Sequence, residues 1–548
     1  MVMIGMLWLI AVPRAWADTP TGAAPPELNS NHNLDAFRRL AVQAGGRLKP
    51  FDSLAREQNR SITGSEGFGG QDAVANCLWW WANGPLTLDQ PLVSERNLAF
   101  KKQLGLPADQ RWFSVNQLQK NAALTRMRMD VMKSAQNGEK VPPQLSEARE
   151  LLYRMRSLEM LVDGTEFNIL PSPVSLMSPW GSFRDLDGLT NEPKAKPMQD
   201  TVAALRKAIV EHKFDQVAPL STQLGQELQV LGPYPDQTNL DREVRYNAFH
   251  PFRWAWIFYL IGFLTLLMVP ARLAFLGQAA IGCGFAMHLY GFFCRCKIAG
   301  RPPVTNMYES VIWVAFGAVL FALIFDLIYK QKAYLMAASG AAVICLVLAD
   351  MLPAVLDPAI HPLTPVLRSN YWLVIHVLTI TLGYAAFMLA LGLGHIVVWK
   401  FTFQGDQREE IRALNKALYK AIQVGVLFLA AGTILGGVWA NYSWGRFWGW
   451  DPKEVWALIA LLGYLSILHG RYAGWLGNFG TAVCSILAFQ GVIFAWYGVN
   501  FVLGAGLHSY GFGSGGVQYA AIYVGIELAF VIFASQRYRR RFTHSTEQ

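Results

Sequence analysis

Charge is scarce in this sequence. Asp, Glu, Lys and Arg make up 16% of its 548 residues, against 53% hydrophobic and 13% aromatic. In ordinary soluble domains roughly a quarter of residues are charged, so a soluble enzyme is excluded. The shortage is uneven: the first half has ordinary polarity, and almost all the long apolar runs come after residue 250. The net charge of +9 requires no acidic partner such as nucleic acid. Much of it lies in short segments between apolar runs, where basic residues set orientation in a membrane. Paired cysteines are missing as well. None of Cys77, Cys283, Cys294, Cys296, Cys345 and Cys484 forms Cys-x-x-Cys, and Cys-x-x-Cys-His is absent. A thioredoxin-like reductase and a c-type cytochrome are both excluded. Cys294-Arg-Cys296 is too closely spaced for a usual zinc knuckle. Four of the six Cys fall in apolar runs, and the set reads as packing residues. No internal repeat is visible.

Met1–Ile10 is apolar but too short to span a bilayer. Ala15 and Ala17 precede Asp18 with the small-residue spacing of a signal-peptidase site, although a basic n-region is lacking. The expectation is a signal peptide over 1–17, with an uncleaved anchor as the alternative. A Pro/Ala/Asn-rich linker follows over 18–30, then an exported, mainly helical domain over 31–249. Its amphipathic segments lie near 35–42, 94–104, 115–136, 145–163 and 200–231. In its segment Val42–Ser53, Gly45-Gly46 predicts a turn, and Asp52 or Ser53 an N-cap for the following helix. Trp79-Trp80-Trp81 lacks glycine spacing and reads as core packing or membrane-surface contact. Pro171–Pro193 reads as a loop dividing two helical groups.

From Trp254 onward nine apolar runs are long enough to cross a membrane: about 254–270, 274–294, 311–329, 333–352, 371–399, 418–440, 454–472, 477–503 and 519–536. The fold class is therefore all-α: a polytopic helical membrane domain over 250–548 behind the exported one. If that domain is outside, the first run crosses inward. Arg272, Lys330, Lys332, Lys400, Arg408, Arg412, Lys416, Lys420, Arg471 and the tail Arg537–Arg541 then fall on the inner side, as basic residues do. Only the 295–310 loop, with Arg295, Lys297 and Arg301, goes against the trend.

Between the sixth and seventh runs, on the outer side, lies Trp444-Gly-Arg-Phe-Trp-Gly-Trp-Asp-Pro-Lys-Glu454. Its rings offer a flat apolar surface, and Gly445 and Gly449 let the backbone approach a ligand closely. An interfacial aromatic belt is the other reading. A belt scatters its rings over many helix ends and needs no Gly-spaced cluster ending in Asp-Pro.

The stretch WGRFWGWDPKEVWAL resembles the tryptophan-rich WWD signature of the haem-handling proteins of cytochrome c biogenesis. Its DPKE continuation resembles the CcsA (ResC) family of the system II synthase; the relatives CcmC and CcmF carry different residues after the Asp. The resemblance covers roughly residues 280–535, and a segment like Val42–Ser53 precedes the CcsA region in some fused synthases. It implies that haem b is the substrate. It further implies a loop, 441–453, in which Trp444, Trp448, Trp450 and Asp451 position the macrocycle. Matching outer histidines, His376 in Ser369-Asn-Tyr-Trp-Leu-Val-Ile-His376 and His508 in Gly-Leu-His-Ser-Tyr-Gly, are external haem-iron ligands in the family. His469, in Leu468-His-Gly-Arg471, matches a membrane haem site. Asp451 and His469 lie roughly 27 Å apart along a helix, so His469 and the outer pair belong to two sites.

The family takes its second inner ligand from a companion subunit, CcsB (ResB). No such domain is fused here, so a separate partner is expected, with His288 and His395 as internal alternatives. Asn306-Met-Tyr-Glu-Ser310 also matches a family motif, and Glu309 reads as orienting the lid of the site; a helix N-cap accounts for Asn306 or Ser310 equally well. Asp451 reads as a helix cap or as steering the basic partner of a haem propionate. The implied activity is haem transport and covalent attachment to the Cys-x-x-Cys-His of apocytochrome c, in the bacterial inner membrane. Thiol-reducing partners and membrane lipid go with it. A haem exporter without lyase activity and a docking subunit are the alternatives.

Overall fold

The computed structural model describes residues 22–139, 141–188, 195–353, 355–362, 370–404, 408–503 and 517–542. The expected signal peptide and His508 lie outside the described residues. The chain divides into two compact units, Met1–Ala248 and Phe249–Gln548.

The first unit gathers the helices Phe51–Thr63, Ala73–Asn83, Ser146–Val162, Ala195–Val210 and Val217–Leu231 around one apolar core. Phe51 stacks on Phe167 at 5.2 Å, and Phe167 on Phe183 at 5.3 Å. Trp80 and Trp81 are buried in this core and Trp79 packs against its edge, so the Trp triplet is packing. Three two-stranded antiparallel ribbons, not foreseen from periodicity, complete the unit. In one of them β1 (Ala41–Ala44) pairs with β2 (Arg47–Pro50) about Gly45-Gly46. Both glycines have positive φ, 61° and 78°, as a two-residue hairpin turn requires.

The expected N-cap is not there. The helix begins at Phe51 with Pro50 in the cap position and no side-chain cap bond. Asp52 is instead committed to Arg38 at 3.0 Å and Arg56 at 2.9 Å. Ser53 donates to Glu243 at 2.6 Å, and Glu243 also takes both arms of the Arg47 guanidinium. A buried carboxylate gains more from two guanidinium partners than from one backbone N–H.

Among the described residues the second unit has helices and no strand: α1 (Pro251–Met268), α2 (Ala274–Ala299), α3 (Met307–Tyr329), α4 (Lys332–Met351), α5 (Asn370–Trp399), α6 (Arg408–Trp444), α7 (Pro452–Tyr472), α8 (Asn478–Ile493) and α9 (Val517–Phe542). Eight helices among the described residues are long and apolar enough to cross a membrane. The run forming α2 is not among them: it is 26 residues long but carries Gln278, His288 and Arg295. The chain is thus a multi-pass membrane protein. Without a hydrophobic drive between helices in lipid, close backbone approach has to supply the packing. The α5–α6 pair does this with glycine: a Cβ on Gly432 would lie 2.6 Å from the Ile380 Cα, and one on Gly383 2.8 Å from the Leu429 nitrogen.

The basic loop that went against the orientation rule has a local explanation. Arg295 and Arg301 are buried and both pair with Glu309, at 2.7 and 3.4 Å. Arg295 also donates to the Pro358 carbonyl and Arg301 to that of His361. Two of the three basic charges are therefore consumed inside the fold and do not act as topological signals.

Candidate functional site

α6 runs four residues past the expected end of its apolar run, so Trp444 is its last residue and the connecting turn is only 445–451. That turn is held shut by Glu454. Its carboxylate accepts from the backbone N–H groups of Gly449 (2.8 Å) and Asp451 (3.1 Å) and pairs with Arg446 at 3.2 Å. Asp451 accepts from the Lys453 N–H at 3.0 Å and completes a capping box with Glu454, with Pro452 at the first helical position. The cap reading of Asp451 is what the geometry contains. Trp450 sits at φ 56°, a conformation costly for a non-glycine residue and typical of functional turns.

The turn folds back over α6. Phe447 lies against Gly437, where a Cβ would come within 2.5 Å of its ring. Beneath it is a cavity of about 160 Å³ lined by His376, Ile380 and Tyr384 of α5, Gly436 and Trp439 of α6, and Phe447 and Trp448 of the turn. Thr305 and Asn306 just ahead of α3, Ser310 in its first turn, Lys453 of α7 and Trp496 and Asn500 also line it. The last two belong to π-helical turns, Phe494–Leu503, that continue α8; such turns are frequent at functional sites. Trp496 donates to the Ser310 hydroxyl at 2.9 Å. The volume is below the roughly 300–1,000 Å³ of small-molecule sites.

His376 is held in one orientation by the backbone of α6. Its Nδ1 lies 2.7 Å from the Gly432 carbonyl oxygen. A carbonyl only accepts, so Nδ1 carries the proton and Nε2 the lone pair. This is the arrangement that orients a metal-binding imidazole. The ring has room because residue 436 is glycine: a Cβ there would lie 2.6 Å from the His376 Cε1.

The other expected residues divide. Trp448 lines the cavity, and Trp444 reaches it through Trp439, whose ring is 4.7 Å away. Trp450 stands perpendicular to Trp448 and is 71% exposed. His469 is elsewhere, exposed in the last turn of α7 with its Nδ1 2.7 Å from the Leu465 carbonyl. Neither internal alternative has a nitrogen to spare for it. His288 is fully buried between the Tyr259 hydroxyl and the Ile312 carbonyl. His395 is held by the Leu391 carbonyl and by Glu527 at 2.9 Å. Asn306 caps α3 by accepting from the Glu309 N–H at 2.8 Å. Glu309 in turn accepts from the N–H and hydroxyl of Thr305, both at 2.9 Å, and so holds part of the cavity wall. Trp439, Trp496 and the glycines of α6 were not anticipated; they lie inside apolar runs that look like any other membrane helix.

Residues 304–508 match the family described as Cytochrome C assembly protein. NrfI of Wolinella succinogenes is 28% identical over 501 residues, 86% of this chain, and the chain spans 54% of that protein's length. CcsA of Prochlorococcus marinus is 34% identical over 248 residues, 39% of this chain and 77% of its own. CcsA of a Synechococcus species is 32% identical over 284 residues, 46% of this chain and 87% of its own. Among solved structures, the Cytochrome c Heme Lyase CcmF covers 53% of this chain and 50% of its own, at 16% identity and a TM-score of 0.36. That likeness is too low to carry an argument.

Proposed function

This chain belongs to the CcsA family of cytochrome c biogenesis proteins, and on that premise we propose that it carries haem across the bacterial inner membrane and acts as a cytochrome c haem lyase. Haem enters near His469 and is presented outside on the Trp-rich turn, with His376 and His508 as axial ligands. The observation that carries this reading is the His376 imidazole, held by the Gly432 carbonyl in the tautomer that binds iron and lining an aromatic cavity under the turn. Iron supplies the coordination; the chain supplies orientation. Gly432 fixes the ring, Gly436 makes space for it, and Glu454 holds the platform in place.

Apocytochrome c then offers the two thiols of its Cys-x-x-Cys-His. Each S–H adds across a haem vinyl group: sulfur bonds one carbon and the proton ends on the other, with no net oxidation. The chain's contribution to this step is positioning. Reduced thiols imply thiol-reducing partners. The exposed His469, with the nitrogens of His288 and His395 engaged elsewhere, leaves the second inner ligand to a CcsB-like subunit.

Reconstitution in a host lacking any other lyase tests the activity. Thioether-linked cytochrome, scored by haem that stays with the protein after denaturation and extraction, is the expected result. Haem delivered outside but wholly extractable means an exporter instead.

A further inference from the structure

The cavity under the Trp-rich turn contains one positive charge that no carboxylate meets in an ion pair among the described residues. Of its charged lining residues, Glu454 is committed to Arg446 and to two backbone N–H groups. The other is Lys453. Among the described residues its ammonium makes no ion pair, and its hydrogen bond is to the Trp496 carbonyl at 3.5 Å, too long to be a good one. Asp451, two residues earlier, uses its carboxylate to cap the Lys453 N–H and acts on the ammonium only through space. Residues 504–516, which carry His508, contain no Asp or Glu. A cation drawn partly out of water normally has an anion beside it. What is missing here is an anion in direct contact, which a bound carboxylate would supply.

Resting on the reading of this cavity as the outer haem site, we infer that Lys453 is the counter-ion of a haem propionate. The ligand chemistry is a flat apolar body with a carboxylate at its edge. The aromatic walls take the body, and the Lys453 ammonium, on the same wall as Trp496, takes the carboxylate. The pairing fixes rotation of the macrocycle in its own plane, which an axial imidazole leaves free. It therefore decides where the vinyl groups lie relative to an incoming thiol pair. Lys453 is a positioning residue in this account.

Haem and its dimethyl ester, in which both carboxylates are capped, separate the charge from the ring. Detergent-purified full-length protein, stripped and titrated with each by absorption, is expected to prefer haem by about tenfold. Lys453→Met is expected to lose that preference while binding the ester as the native protein does, and Lys453→Arg to keep it. A native protein with no preference overturns the inference, as does a Lys453→Met variant that keeps it or weakens both ligands equally. His376→Gly, run alongside, is expected to weaken both. If it binds both as the native protein does, the outer-site reading itself falls, a failure distinct from a result confined to Lys453.

Discussion

The imidazole of His376 and the indole of Trp439 lie parallel, 7° apart in plane with centroids 6.2 Å apart. With the Gly432 carbonyl on Nδ1 and Gly436 beneath the ring, the imidazole is confined by three features of one helix. All of them lie on the α6 face turned toward α5. Positioning to within a fraction of an ångström is what a site that works by geometry needs.

That confinement is open to a one-atom test. Gly436→Ala places a methyl within 2.6 Å of the His376 Cε1, so the ring has to swing away from the Gly432 carbonyl. Haem content after purification is expected to fall severalfold with membrane insertion unchanged. Gly463→Ala, where a Cβ meets nothing within 4 Å, is expected to be neutral. Full haem retention in Gly436→Ala contradicts the tight fit.

Glu454 ties the turn shut with three partners. Glu454→Ala removes the Arg446 ion pair and both N–H acceptors at once, a local loss of about 1 kcal/mol or more by analogy with capping residues. Amide exchange at Gly449 and Asp451 is expected to accelerate at least fivefold, with Glu454→Gln intermediate. Unchanged exchange means the turn is held by its rings alone.

Glu309 neutralises two buried guanidinium groups, and both it and Arg295 are essentially inaccessible. Removing one partner of such a set costs about 3–5 kcal/mol because the charges left behind are uncompensated. Glu309→Ala is expected to lower thermal stability sharply in detergent and to free the Thr305 segment of the cavity wall. Glu410→Ala, whose carboxylate is more than half exposed in its ion pair with Lys400, is expected to do neither.

The helical runs of the second unit and the capping box were readable because each is a local pattern: twenty apolar residues, or Asp-Pro-Lys-Glu at fixed spacing. Trp439 was not, since its role depends on His376 sixty-three residues away in sequence. Gly432, Gly436 and Gly437 carry no local mark that separates a packing glycine from an idle one such as Gly463. Asp52 and Ser53 look like caps until Arg38, Arg56 and Glu243 compete for them, and Glu243 is 190 residues from Ser53. The short ribbons of the first unit, two of them with strands of only two or three residues, are below what period-two alternation detects. Position in the membrane and the roles of His469 and His508 rest on resemblance and orientation rules.

Cys77 illustrates a thiol that takes no part. It is buried against Asn59 and the Ala55 carbonyl, and burial, with Asp72 adding to it, raises its pKa well above the ordinary thiol value. The thiolate is the nucleophile, so maleimide labelling of the Cys77 peptide at neutral pH is expected to require denaturant. Labelling in the native state contradicts the burial.

The central claim is that His376 holds haem iron under the Trp-rich turn. A reduced absorption spectrum of detergent-purified protein, produced with a CcsB-like partner, tests it against His376→Gly with and without added imidazole. The account predicts a bis-histidine b-type spectrum in the native protein, its loss in the variant and its return with imidazole. Haem retained in full by His376→Gly, or absent from the native protein, contradicts it.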